Sequence, residues 1–167
     1  MIRLRSSLVM MLAIWLPLGS AIAQESAAVL SGAELTRVVP TSFYFEGQSA
    51  PTQMRNAAAV RFAAKRFVIA GLVDTSGYST DVQAKYQGFL ITDSPVTIGG
   101  SELAVGAYGF GFSQDKLNIF DVGGNALLSI SAAKDSSVKR PRPLMMTKAA
   151  DGVRLYSGRN YVVIAAK

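Results

Sequence analysis

Three short patterns in this chain have residue types and spacings that do chemistry in other settings. Leu72-Val73-Asp74-Thr75-Ser76-Gly77 places an aspartate directly after an apolar run. Paired-carboxylate proteases present their acids in this way, but their reaction needs two aspartates sharing one proton, each on a glycine-bearing turn. Here the glycine comes one place late and no second copy follows. Asp-Thr-Ser-Gly is equally ordinary hairpin punctuation. Ser113-x-x-Lys116 and Ser131-x-x-Lys134 both have the Ser-x-x-Lys spacing of acyl-transferring serine–lysine sites. Those sites need the serine at a helix N-terminus and further motifs beyond it. One copy here falls in a hairpin and the other at a strand end. Gly106-x-x-Gly109-x-Gly111 lies within a strand rather than between strand and helix, which rules out a phosphate-cradling loop.

The residues that are missing decide more than these motifs do. The 167 residues contain no His and no Cys. That removes Ser-His-Asp and Cys-His nucleophile systems, imidazole or thiolate zinc sites, and His- or Cys-ligated haem. No run of carboxylates has the spacing of a calcium loop. General acid–base work near neutral pH would fall to carboxylates, Lys or Tyr, without the side chain best suited to it. The sequence therefore names no catalytic residue, metal ligand or cofactor, and it leans away from an enzyme. A carboxylate-dependent hydrolase stays open, because such acids meet only through the fold.

The basic residues are better grouped. Lys139-Arg140-Pro141-Arg142-Pro143 sets three cations in five residues, and Arg154 and Arg159 follow close behind. Arginine clusters suit phosphate, sulfate or carboxylate through paired donors. Lys139, Arg140, Arg142, Arg154 and Arg159 are the expected anion-binding residues, with a solvated loop as the plain alternative. The full chain carries a net +6, and the part that follows the leader described below carries less. A modest surplus of this kind favours an anionic lipid, polysaccharide or cell-wall polymer over nucleic acid.

Short strands must position these groups. Val38–Glu46 alternates, with Phe43 and Phe45 on one face and Tyr44 on the other. The alanine-rich stretch 54–66 reads as one arm of a hairpin turning near Ala64-Lys65, with a short helix as the alternative. Phe67–Val73 is apolar on both faces, hence central. Tyr86–Thr92, Val96–Ile98, Leu103–Phe112, Lys116–Asp121, Ala126–Ala132, Leu144–Lys148, Val153–Tyr156 and Tyr161–Ala165 follow, separated by turn residues. Within Leu103–Phe112, Tyr108, Phe110 and Phe112 share one face while Gly109 and Gly111 share the other. Glycine there permits a sharp bend or a close approach by another backbone or a ligand. The expected fold is all-β: a single antiparallel β-sandwich or small β-barrel.

Ahead of these strands, Arg3 and Arg5 give a positive head, and Leu8–Leu16 is an unbroken apolar run. Pro17, Gly19 and Ser20 then lead to Ala21-Ile22-Ala23, with small residues where a signal peptidase reads. This is the secretory pattern, and nine apolar residues fall short of the roughly twenty that cross a membrane. The expected organisation is a cleaved signal peptide over 1–23, a flexible mature N-terminus over 24–34 and one β-rich domain over 35–167, with no transmembrane helix in the mature form. The phrases VTIGGSELAVGAYGFGF (Val96–Phe112) and RPRPL…DGVRLYSGRNYV near the end resemble hairpins of uncharacterised secreted bacterial β-domains. The resemblance implies a β-rich secreted domain and transfers no functional residue. The expected function is a non-enzymatic exported domain, periplasmic or extracellular, that binds an anionic envelope component or another macromolecule. Alternatives are the envelope-polymer hydrolase and a small outer-membrane barrel. N-terminal sequencing of the exported protein should begin at Gln24; a retained Met1 would refute the assignment.

Overall fold

A computed structural model describes residues 27–63 and 66–167. The export signal expected over 1–23 lies outside the described residues. The described chain forms fourteen strands and two short helices. The longest strand, β3 (Gln48–Ala63), organises the first sheet. Its first residues pair with β2 (Ser42–Phe45), and its second half pairs on one side with β1 (Ala28–Val29) and on the other with β4 (Arg66–Val73). The register shifts between Thr52 and Ala57, where the strand leaves one partner for the next. The alanine-rich stretch is therefore strand rather than helix, because two faces have to be filled at once. Ala58 points to one buried cluster and Ala59 to the other. The turn expected at Ala64-Lys65 falls outside the described residues, and the flanking strands pair Ala63 with Arg66.

The sheet continues through β5 (Gly88–Thr92), β8 (Gly106–Ser113), β9 (Lys116–Phe120) and β10 (Ala126–Ser131), in the order β1-β3-β4-β5-β8-β9-β10. A second sheet is built from β6 (Val96–Ile98), β7 (Ser101–Leu103), β12 (Arg142–Ala149), β13 (Gly152–Gly158) and β14 (Asn160–Ala166), ordered β12-β13-β14-β6-β7. The short β11 (Ala133–Lys134) also pairs with β14. Every pairing is antiparallel, and the sheets do not close into a barrel. The arrangement is that of a sandwich. The small-barrel alternative needed closure, and the described strands do not have it. Leu103–Phe112, expected as one strand, is interrupted at Ala104-Val105, where the chain crosses from the second sheet back to the first.

The main core lies between the sheets. Val60, Val68, Leu90, Phe110, Leu117 and Ile119 from the first meet Val96, Ile98, Val153, Leu155, Val162 and Ile164 from the second. Burying one such side chain stabilises the fold by about 1.5–3 kcal/mol. A second cluster covers the opposite face of the first sheet, where Phe43, Phe45, Tyr86 and Phe89 pack beneath β2, α1 (Gly32–Val38) and α2 (Thr80–Lys85). This explains why Phe67–Val73 is apolar on both faces. It also revises the expected tail over 24–34. Residues 24–26 lie outside the described set, but Ala28-Val29 is paired, and Leu30 is buried with its N–H donating to Ala59 O at 2.9 Å. Val29 and Leu30 feed the two clusters in turn, so this stretch belongs to the domain.

The glycine face of β8 serves close packing. A Cβ on Gly109 would lie 2.1 Å from the Tyr86 ring and 2.8 Å from Phe45, and one on Gly111 would lie 2.5 Å from Lys85 O. Gly109→Val should therefore cost about 3 kcal/mol through forced displacement of a buried ring. Gly77→Ala, whose added carbon meets nothing within 4 Å, should melt within a degree or two of wild type. Equal melting of Gly109→Val and wild type would refute the packing account.

Candidate functional site: the basic end of the sandwich

Strand pairing brings most of the predicted cations to one end of the sandwich. Arg142 opens β12 and pairs with Gly158, the last residue of β13. Arg159 is the next residue, in the tight turn that Ser157 and Asn160 close by pairing with each other. Opposed Cα atoms in such a ladder lie about 5 Å apart, so Arg142 and Arg159 leave the backbone as neighbours. The loop before β12 is tied to the same turn. Asp135 N–H donates to Arg159 O at 2.9 Å, and Arg159 Nε donates to Val138 O at 3.3 Å. Lys139 and Arg140 follow Val138 directly. Lys139, Arg140, Arg142 and Arg159 are all exposed, and among the described residues none forms an ion pair.

Arg154 stands apart. It lies four residues back along β13, about 13 Å away at the usual strand rise. Its guanidinium sits 3.5 Å from Asp135 Oδ2 and 4.5 Å above the Tyr161 ring, with Nη1 3.4 Å from the Tyr156 hydroxyl. That hydroxyl donates to Asp135 at 2.9 Å. Arg154 is thus matched by a carboxylate and an aromatic face within the fold, which leaves it less charge to offer a ligand.

Two further lysines reach the basic end without having been singled out as cations. Lys134 pairs with Asn160 in the β11–β14 ladder, and Asn160 donates to Asp115 at 2.8 Å in the β8–β9 turn. Lys116 closes that turn, opposite both Ser113 and Ser131. The two Ser-x-x-Lys motifs therefore converge in space. Their serines and lysines are all exposed, and no hydrogen bond joins a serine to a lysine among the described residues. They contribute charge and not a nucleophile–base pair. Their Ser-x-x-Lys spacing marked them in the sequence, but their place beside the basic loop depends on the contacts that β14 makes with β11 and with the β8–β9 turn.

The carboxylates nearby are occupied. Asp115 accepts from Asn160, and Asp135 accepts from Ser137 and Tyr156 and forms an ion pair with Arg154. Asp74 of the LVDTSG motif is exposed, and its carboxyl sits below the ordinary aspartate value because the Ser76 N–H and hydroxyl donate to it.

Two depressions among the described residues lie at opposite ends of β12 and β13. A groove of about 310 Å³ lies at the basic end, lined by residues of β3, β4, the 74–87 segment, the start of β12 and the end of β13. A larger one of about 610 Å³ lies at the other end of β12 and β13 and is mostly walled by alanines. Ala27 and Ala63 form part of its wall. Neither is lined by two carboxylates. Among the described residues no cluster of three or more His, Cys, Asp or Glu could hold a metal ion. No family model matches the chain, and neither does any curated protein or solved structure.

The Asp135 cluster has a pH signature. Hydrogen bonds from Ser137 and Tyr156, and the nearby Arg154 charge, hold the Asp135 carboxyl below its ordinary value. Its contribution to stability is therefore complete above the ordinary aspartate range and is lost as pH falls through the lowered folded value. Asp135→Asn should melt below wild type at pH 7, and the gap should close in acid. Thermal melts of both proteins between pH 7 and pH 2 read this directly, and a pH-independent gap would contradict it.

Proposed function

We propose that this chain is a non-enzymatic binding domain that captures an anionic polymer of the cell envelope through the basic end of its sandwich. One observation carries the reading. Lys139 and Arg140 on a loop, Arg142 at the start of β12 and Arg159 in the β13–β14 turn are gathered at one end, exposed and free of ion pairs among the described residues, while the local carboxylates are engaged elsewhere. Grouped like charges repel, and an anionic ligand relieves that repulsion as it binds. Pro141 and Pro143 limit the freedom of the segment Lys139–Pro143, which carries three of the cations where the loop enters β12, and this lowers the entropy lost on binding.

A binding role also accounts for what is missing. Hydrolysis of an envelope polymer by paired acids needs two carboxylates across a cleft, and neither depression supplies them. Export would bring the domain to its ligand, and the expected signal peptide over 1–23 provides for it.

Arg140→Ser with Arg142→Ser should cut retention on an acidic polysaccharide about tenfold at low salt, at up to about 1 kcal/mol for each exposed contact. Both side chains are exposed, so the melting temperature should stay within a degree or two of wild type. Salt should weaken wild-type binding as the screening length falls below about 8–10 Å. Equal retention of variant and wild type at low salt would leave the loop as ordinary solvated surface.

A further inference from the structure

The groove beside the basic loop has a different chemistry from the loop itself. Gln53, Thr75, Gln83, Gln87, Pro143 and Ser157 contribute to its wall, and no charged side chain does. Such a lining does not suit a phosphate or a metal ion, which would call for cations or carboxylates. Neutral amides and hydroxyls both donate and accept, as the hydroxyls of a sugar ring do. Pro143 and Leu72 add apolar surface of the kind that meets the C–H face of a ring.

The amides are already held in place. Gln53 Nε2 donates to Val73 O at 3.1 Å and Gln83 Nε2 to Tyr78 O at 2.8 Å. Gln87 is fixed at both ends by the Phe112 backbone, at 2.9 and 3.0 Å. Gln83 Oε1 and the hydroxyls of Thr75 and Ser157 have no hydrogen-bond partner among the described residues. Amides fixed before binding lose little freedom when a ligand arrives. The volume of about 310 Å³ is at the small end of ligand sites, suited to one or two rings.

Charge and groove adjoin. Pro143 in the wall follows Arg142, and Ser157 in the wall precedes Gly158, the residue paired with Arg142. A ligand seated here meets neutral hydrogen-bonding groups first and cations at the next step along its length. We infer that the groove is a sugar subsite, and that the anionic polymer is an acidic polysaccharide whose carboxylate or sulfate reaches Arg142 and its neighbours. This rests on the anion-binding reading above and narrows it. A lipid surface fits less well. Among the described residues the exposed large apolar side chains, Tyr44, Val105, Val122 and Leu127, lie on other strands and turns, so the basic end offers none of them to a bilayer.

The test uses the mature protein with three probes: a polyuronate such as alginate, inorganic polyphosphate of matched charge, and vesicles containing phosphatidylglycerol. Polyuronate should bind the tightest of the three. Gln83→Ala with Ser157→Ala should weaken polyuronate binding about tenfold, as expected for two neutral hydrogen bonds, and leave polyphosphate binding unchanged. Arg140→Ser with Arg142→Ser should weaken both. A uronic-acid disaccharide should displace the polyuronate from wild type where inorganic phosphate at equal charge does not, and this competition needs no variant to fold. Polyphosphate binding as tight as polyuronate, with no effect of the groove variants and no competition by the disaccharide, would overturn the sugar subsite and leave the basic end standing. Binding to vesicles alone would overturn it in favour of lipid. Binding to none of the probes at low salt would overturn both readings.

Discussion

The structure depends on the first sheet being buried on both faces. With no cysteine in the chain, no disulfide can restrain the unfolded state, and packing must supply the stability. A sheet with two dry faces offers twice the apolar area of a half-exposed one, but it needs cover on both sides. The second sheet provides one cover. The other is built from the β2–β3 hairpin and the two short helices, with Phe43 stacked on Phe89 at 4.8 Å and Phe45 on Tyr86 at 4.2 Å. Rings this large come close to the central strands only where those strands lack a side chain. Gly71 therefore lies beneath Phe89, and Gly109 beneath Tyr86. Tyr86 keeps its polar end satisfied by donating to Asp121 O at 3.0 Å. Burial, reinforced by the nearby Glu46 and Asp121, pushes its hydroxyl up to about 12.

That constraint also shapes the basic end. α2 and the 74–87 segment belong to the outer cover, and they bring Thr75, Gln83 and Gln87 to the side of the groove opposite β12 and β13. The same packing fixes Gln87 against Phe112 in β8. Cover and binding surface are thus one piece of chain, and loosening the Tyr86 contact would disturb both. The cations sit on the other side of the groove, on connections between strands of the second sheet and at the start of β12. Changes of charge there need not touch the core.

The leading and trailing parts of the chain illustrate how local pattern and long-range packing share the outcome. Alternation and turn residues were enough to place the β8–β9 hairpin, whose Gln114 and Asp115 adopt φ of 50° and 58° and so make the tight reversal that hairpins favour. The same reading of local pattern marked residues 24–34 as a tail, because two apolar residues amid small and polar ones carry no period. Their burial rests on pairing with Val60 and Arg61, more than thirty residues away in the chain.

The sequence by itself determined the strand-rich class, the central place of Phe67–Val73, the strand-borne glycines and the absence of imidazole or thiol chemistry. These follow from residue type and from side-chain alternation at period two, both local properties. It also put Lys139, Arg140 and Arg142 together, since they are chain neighbours. Only the tertiary structure decided that Arg159 joins them, that Lys116 and Lys134 converge on the same end, and that Arg154 is turned to Asp135 and Tyr161 instead. Each of those outcomes depends on strand order and register, which set who lies beside whom across dozens of residues. The groove is likewise a tertiary product: its walls come from five separate stretches of chain, and no window of sequence contains them together.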